Sequence, residues 1–172
     1  MVKMIAALVS GAAMLSCTQA VVVPPATPPM EVSMTPVQRS PEGMVLAHAN
    51  LMGWGAGPAA LPAGAQMIVL EGDPTQAGLF TLRLKFPGNY TIQPHYHPAW
   101  EHITVISGVL HLGMGDVFRA GGWNELRTGS FVAMRPGMRH FVHTVGETVV
   151  QLHAMGPWQL TYVNPADDPR NR

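Results

Sequence analysis

Three residues whose side chains bind metals lie close together in one stretch of the chain, residues 88–108. His95 and His97 are separated by one residue, and Glu101 follows four residues later. Successive side chains of an extended segment point to opposite faces, so these three positions share a face if the stretch stays extended. Two imidazoles and a carboxylate that converge form half or more of a site for Zn, Fe, Mn, Ni or Cu. The alternative for the two histidines alone is a pair of exposed strand residues.

A second cluster lies at residues 129–140. Gly129 precedes a short apolar run, a Pro136-Gly137 turn ends it, and His140 follows three residues after the turn glycine. Pro-Gly pairs mark turns, so His140 lies near the start of the next element. The presence of both clusters favours a metal site over isolated surface histidines.

The two clusters resemble the two sequence motifs of the cupin superfamily. The first motif, G-x5-H-x-H-x(3,4)-E-x6-G, fits residues 88–108 with one extra residue before His95. The second, G-x5-P-x-G-x2-H-x3-N, fits with Pro136 one place late and with Thr144 in place of the asparagine. The resemblance implies an all-β fold, a double-stranded β-helix or jelly roll, with a metal inside one open end. For the metal ligands it implies His95, His97, Glu101 and His140.

The stretch that follows the second motif gives a narrower resemblance. Residues 150–158 are similar to small bacterial single-domain cupins related to the metal-binding cupin of certain anti-sigma factors. No helical anti-sigma segment precedes the motifs, which argues against sensing through a sigma factor.

Composition predicts one domain of short strands and many turns. The chain has 172 residues with 18 Gly and 16 Pro, and no segment shows a convincing helical periodicity. A formal net charge of zero and the lack of a basic region argue against a nucleic-acid partner. The single cysteine, Cys17, precedes the domain, so imidazole and carboxylate must hold any metal.

The chain divides into four predicted segments. Residues 1–20 are typical of a signal peptide, because Lys3 precedes a charge-free apolar run and small residues precede a cut after Ala20. A lipoprotein with a lipid anchor on Cys17 is the alternative. Residues 21–43 form a Pro-rich linker, residues 44–165 the cupin domain, and residues 166–172 a polar tail. We therefore expect a periplasmic or secreted protein.

Turn signals and alternation predict many short strands, as in a sandwich or barrel. The clearest alternation is at residues 79–86, where Phe and Leu alternate with Thr, Arg and Lys. Residues 116–128 are polar and glycine-containing and are predicted to form a loop. The remaining predicted strands are 44–47, 66–71, 95–97, 101–107, 109–112, 131–134, 141–145, 148–154 and 158–163.

Three further polar residues are candidates for the pocket. His143 lies three residues after His140, and it is either an acid/base group or an ordinary rim residue. Gln151 and His153 share a face of a late strand, and they either line the barrel beside the metal or face solvent.

The predicted site suggests three functions for a small-molecule ligand or substrate. Three imidazoles and one carboxylate leave two positions open on an octahedral divalent ion. The first hypothesis is a metal-dependent oxidoreductase of the dioxygenase type that acts on a small organic molecule. The second is a module that binds metal or ligand without turnover, as a sensor or store. The third is a lyase or isomerase in which Glu101 or His143 moves protons. The resemblance also implies a homodimer.

Overall fold

The computed structural model describes residues 37–172. The predicted signal peptide at residues 1–20, the first part of the predicted linker, and Cys17 with its alternative lipid anchor lie outside these residues. Within residues 37–172, no helix has the length and apolar character needed to cross a membrane.

Alternating apolar and polar side chains form the strands, as β5 shows. Phe80, Leu82 and Leu84 are at most 3% exposed, whereas Arg83 and Lys85 on the other face are only partly buried. One buried and one open face are typical of antiparallel strands. The strands are β1 Val37–Arg39, β2 Val45–Ala47, β3 Gly55–Ala56, β4 Gln66–Glu71, β5 Gly78–Phe86, β6 Thr91–Tyr96, β7 Glu101–Ser107, β8 Val109–Met114, β9 Asn124–Arg127, β10 Phe131–Met134, β11 His140–Thr144, β12 Thr148–Gly156 and β13 Thr161–Tyr162. Short 3-10 helices span Ala49–Leu51, Pro165–Asp167 and Pro169–Asn171.

The strands form two main antiparallel sheets around one hydrophobic core. The six-stranded sheet has the order β10-β7-β12-β5-β4-β3, and the five-stranded sheet has the order β13-β6-β11-β8-β9. Inward side chains of both sheets, such as Leu82, Val105 and Leu110, belong to one buried cluster. Strands β1 and β2 form a separate two-stranded sheet. This architecture confirms the predicted all-β jelly roll.

Strand β9 lies where the sequence predicts a loop over residues 116–128. Its sequence is Asn-Glu-Leu-Arg, so Leu126 is its single apolar side chain and no alternation marks it. Its structure comes from pairing with β8, in which Leu126 opposes Leu110. A strand defined by its neighbour leaves little signal in its own composition.

Strand β1 lies within residues 21–43, for which the sequence predicts an extended linker. It pairs with β2, and the Arg39 guanidinium donates a hydrogen bond to Leu70 O at 3.2 Å. Proline disfavours central strands but is compatible with an edge pair, which is what β1 forms. The other domain boundaries remain predictions.

The end of the chain also departs from the prediction. The strand predicted at residues 158–163 shortens to β13, Thr161–Tyr162. The predicted polar tail at residues 166–172 contains most of two 3-10 turns, and Arg170 in it donates a hydrogen bond to Leu160 O at 3.0 Å. Backbone hydrogen bonding of a polar segment to the domain is not visible in its composition.

Candidate metal centre

Strand pairing in the five-stranded sheet brings His95 and His140 together. His95 lies near the end of β6, His140 begins β11, and the two residues are directly opposite each other. Opposed residues of antiparallel strands project from the same face. The centroids of the two rings are 4.2 Å apart.

Glu101 reaches the same point from the other sheet. It begins β7, where it opposes Ala154 of β12 and Met134 of β10. Residues 97–100 lie outside the strands, so His95 and Glu101 do not share one extended segment as the spacing argument assumes. Their side chains converge because both sheets turn these positions inward.

The three imidazoles form a compact, buried group, and the Glu101 carboxylate lies beside two of them. The candidate ligand nitrogens of His95, His97 and His140 all lie within 4.8 Å of one another. Glu101 Oε2 lies 3.5 Å from His97 Nε2 and 3.6 Å from His140 Nε2. None of the four residues is more than 4% exposed.

Backbone carbonyls determine which nitrogen of each ring faces this group. His95 Nδ1 donates to Gln93 O at 2.7 Å, and His97 Nδ1 donates to Gln159 O at 2.7 Å. His140 Nδ1 lies 3.0 Å from Met138 O. A carbonyl only accepts hydrogen bonds, so each Nδ1 carries the proton and each Nε2 keeps a free lone pair.

Burial favours the neutral form of all four groups. It lowers the pKa of His97 to about 4 and lowers the pKa values of His95 and His140 below the ordinary histidine value. It raises the pKa of Glu101 to about 7, against a smaller opposing effect of His140. Among residues 37–172, Glu101 Oε2 is one of few buried side-chain atoms without a hydrogen-bond partner.

This donor set fits a divalent transition-metal ion. Neighbouring ligands at about 2.0–2.2 Å from a divalent ion lie roughly 3.0 Å apart in six-coordinate geometry and roughly 3.4 Å apart in tetrahedral geometry, and Glu101 Oε2 lies 3.5 Å and 3.6 Å from the two imidazoles. Three neutral imidazoles with oriented lone pairs and one unpartnered carboxylate oxygen would hold the ion. The donor types do not select among Fe, Mn, Zn, Ni and Cu.

Comparison with known proteins gives the family. Residues 83–156, which contain all four side chains, match the family model described as a cupin domain. This part of the chain is a cupin domain. No curated protein sequence matches the chain. The narrower resemblance to anti-sigma cupins remains a prediction.

Solved structures with low sequence identity share the cupin fold. The polyketide cyclase RemF from Streptomyces resistomycificus aligns with a TM-score of 0.59 and 19% identity, covering 73% of this chain and 89% of its own. A protein assigned to ethanolamine utilization, protein Q of Salmonella typhimurium, aligns with a TM-score of 0.56 and 15% identity, covering 69% and 91%. At these identities the likeness establishes the fold and leaves the reaction open.

The cavity of this cupin is small and apolar beyond the four polar side chains. Eleven apolar side chains complete its wall, including Leu110, Leu152 and Trp158. The volume open to the centre of a water-sized sphere is about 20 Å³. Since one water needs about 10–15 Å³ of such volume, the cavity has room for about one water beside the four side chains.

His143 is not part of this cavity wall. Side chains alternate along β11, so His140 and Val142 point inward and His143 points outward. Its Nδ1 lies 2.9 Å from Thr91 Oγ1, and its ring packs against Trp123 with centroids 5.1 Å apart. The structure therefore places the predicted acid/base candidate on the outer face of the five-stranded sheet.

Gln151 and His153 lie on the outer face of the six-stranded sheet. Val150 and Leu152 of the same strand are the residues that line the cavity. The Gln151 carbonyl accepts a hydrogen bond from Arg83 Nε at 3.0 Å. His153 Nδ1 lies 3.0 Å from Thr81 Oγ1. Of the two alternatives for these pocket candidates, the structure selects the outward-facing one.

Trp158 is a cavity residue that sequence reasoning does not single out. Its indole stacks on His97 with ring centroids 5.7 Å apart and planes 11° apart. It follows the end of β12 by two residues, outside any strand, so no periodicity assigns it to a face. The single available signal is the presence of a large aromatic residue directly after a Gly-Pro pair.

Proposed function

We propose that this cupin is a metal-dependent oxidoreductase of the dioxygenase type that acts on a small organic molecule. The observation that supports it is a cluster of three imidazoles with free Nε2 lone pairs, with an unpartnered Glu101 oxygen beside two of them, in an apolar cavity. Such a donor set leaves positions open on a six-coordinate ion. A bound divalent ion supplies Lewis-acid or redox chemistry at those positions.

The residues of the chain itself orient the bound ligand, exclude water and hold one proton. Apolar walls keep bulk water from the site and strengthen its electrostatics. Glu101 is the single ligand candidate with an oxygen, and burial raises its pKa to about 7, so its Oε2 can hold or release a proton near neutral pH. Among residues 37–172, no titratable side chain besides the four predicted ligands lines the cavity. This favours reaction at the ion over acid/base catalysis by separate residues, as in the lyase or isomerase alternative.

A second candidate is binding of metal or a small ligand without turnover. The cavity volume of about 20 Å³ supports it, because a space of that size admits about one water and no organic substrate in the described conformation. In this function the ion would be stored or sensed and its open positions would remain occupied by solvent.

Export and dimerisation complete the proposal as sequence-based predictions. The apolar leader predicts a periplasmic or secreted protein, with the lipid-anchored form as the alternative. The homodimer implied by the cupin resemblance is tested by the molar mass of the purified protein in solution.

Metal content is the measurement that tests the proposed function. The full chain is expressed, and the exported protein is purified and compared with His95→Ala and with the outer-face control His102→Ala. We expect one equivalent of Fe, Mn, Cu or Ni in the wild type and the control and little in His95→Ala. Substrates are then screened by oxygen uptake, with His97→Ala as the inactive reference.

Three outcomes change the proposal. One equivalent of Zn would shift it to the binding function or to non-redox catalysis. Oxygen uptake that persists unchanged in His97→Ala would rule out catalysis at this site. A protein that binds no metal would contradict both candidates.

A further inference from the structure

Trp158 lies between the metal cavity and solvent. Of the fifteen residues that line the cavity, fourteen are buried, and Trp158 alone is partly exposed. On its inner side the indole stacks on His97 at 5.7 Å between centroids and packs against Phe80 at 6.3 Å. Every other residue of the wall is buried, so the partly exposed part of the wall is at Trp158.

The indole is held by packing, while the backbone beside it is held by hydrogen bonds. Trp158 Nε1 is buried and has no hydrogen-bond partner among the described residues. In contrast, Trp158 N donates to Pro74 O at 2.7 Å, and Gln159 O accepts from His97 Nδ1 at 2.7 Å. Rotation of the side chain therefore opens the cavity without releasing the carbonyl that orients His97.

The size of the closed cavity excludes organic ligands. Its volume of about 20 Å³ is far below the roughly 300–1,000 Å³ of pockets that bind drug-sized molecules. One water, or an anion of about the same size, is what such a space admits. A carboxylate with a ring or branched chain needs the volume that the indole occupies.

We propose that Trp158 sets the size of the ligand that reaches the metal. Ligands of about the size of one water bind while the indole lies against His97. Larger carboxylates bind only when the indole swings away from it. The inference rests on the proposed metal site, and it identifies the substrates of that site as molecules that displace this one side chain.

The test uses protein loaded with Co(II), whose visible spectrum reports a ligand entering the coordination shell. Fluoride and benzoate are titrated separately into the wild type and Trp158→Ala, after metal content is measured in each. We expect fluoride, an anion of about the size of water, to change both spectra with similar affinity. We expect benzoate to bind Trp158→Ala at least tenfold more tightly than the wild type. Trp123→Ala, which removes an indole outside the cavity, should behave as the wild type.

A second variant protects the test against misfolding. Trp158→Leu keeps apolar contact with Phe80 while shortening the side chain, and we expect an intermediate gain in benzoate affinity. Equal benzoate affinity in metal-loaded wild type, Trp158→Leu and Trp158→Ala would overturn the role of Trp158 and leave the metal site intact. A wild type that takes up no Co(II) would overturn the proposed site, and the inference with it.

Discussion

Backbone carbonyls near the metal centre determine the chemistry of its histidines. Gln93 O, Met138 O and Gln159 O each occupy the Nδ1 side of one ring. This selects one tautomer per ring and leaves Nε2 free before any ion arrives. Because the rings are also buried, little side-chain entropy remains to be lost on binding. At the residue scale, the three imidazoles are already ordered as a metal ion would need them to be.

Glu101 should favour metal binding and lower the stability of the metal-free protein. Replacing it with glutamine should stabilise the metal-free protein, because it removes a buried carboxylate whose Oε2 has no partner. The same change should weaken metal binding by at least tenfold, since a carboxylate ligand is lost. Thermal unfolding with and without metal measures both effects. A metal-free Glu101→Gln protein that melts below the wild type would contradict this account.

The difference in stability between the metal-free wild type and metal-free Glu101→Gln should depend on pH, because the pKa of Glu101 is raised. Burial raises it from an ordinary 4.5 to about 7 in the folded protein, so the folded state binds the proton more tightly than the unfolded state does. Its contribution to stability is complete below pH 4.5 and is lost as pH rises through about 7. The advantage of metal-free Glu101→Gln should therefore grow between these values to about 3 kcal/mol and then level off. Denaturant unfolding of both proteins at several pH values between about 5 and 8 measures this difference in stability.

At the scale of elements, the turn between β7 and β8 depends on a glycine for two reasons. Gly108 has φ of +80°, and an added Cβ would overlap Glu147 O and lie 2.7 Å from Thr148 Oγ1. Gly108→Ala should therefore destabilise the fold by about 3 kcal/mol or more, from backbone strain and overpacking together. Gly122→Ala is the control, because Gly122 has φ of +69° and no atom within 4 Å of the added Cβ. It should lose about 1–2 kcal/mol, as measured by urea unfolding. Equal losses of stability in the two variants would mean that the contact of the added Cβ with Thr148, at the start of β12, has no energetic cost.

The two faces of β5 should respond differently to truncation. Leu82 is 0% exposed, so Leu82→Ala should cost about 2–5 kcal/mol through lost burial and a residual cavity. Arg83→Ala on the outer face removes one hydrogen bond to Gln151 and should cost about 1 kcal/mol or less. Chemical denaturation of both variants compares the faces within one strand. A large loss of stability in Arg83→Ala would show that the outer face of β5 is buried in solution.

Sequence patterns predict the strands whose own side chains alternate. They fail where pairing with a neighbouring strand determines the structure. The bounds of β4, β7 and β10 agree with the predicted ones, because apolar runs and turn residues delimit each of them. Strand β9 carries one apolar residue, so its pairing with β8 is invisible in its sequence. The same limit holds for the site, where spacing identifies the metal-binding residue types. Alternation from His140 places His143 on the opposite face, whereas only the packing of the sheets shows that Trp158 completes the wall.

The whole molecule should gain stability from its ion. An ion that binds the folded state alone adds about 2.7 kcal/mol when its free concentration is 100 times the dissociation constant. For a domain of this size that corresponds to a rise in melting temperature of roughly 5–10 °C. Chelation followed by readdition of metal should lower and then restore the melting temperature of the wild type. In His95→Ala neither step should change it, and a similar shift in that variant would place the binding elsewhere.

The ligand histidines are also where the last part of the chain is attached. His97 holds Gln159 O, Tyr162 of β13 pairs with His95, and Arg170 holds Leu160 O. Increased motion of the two imidazoles should therefore weaken the contacts that hold the final dozen or so residues. Proteases that cleave after arginine should reach this terminus faster in protein stripped of metal, so the lifetime of the intact chain would report how much metal its surroundings supply.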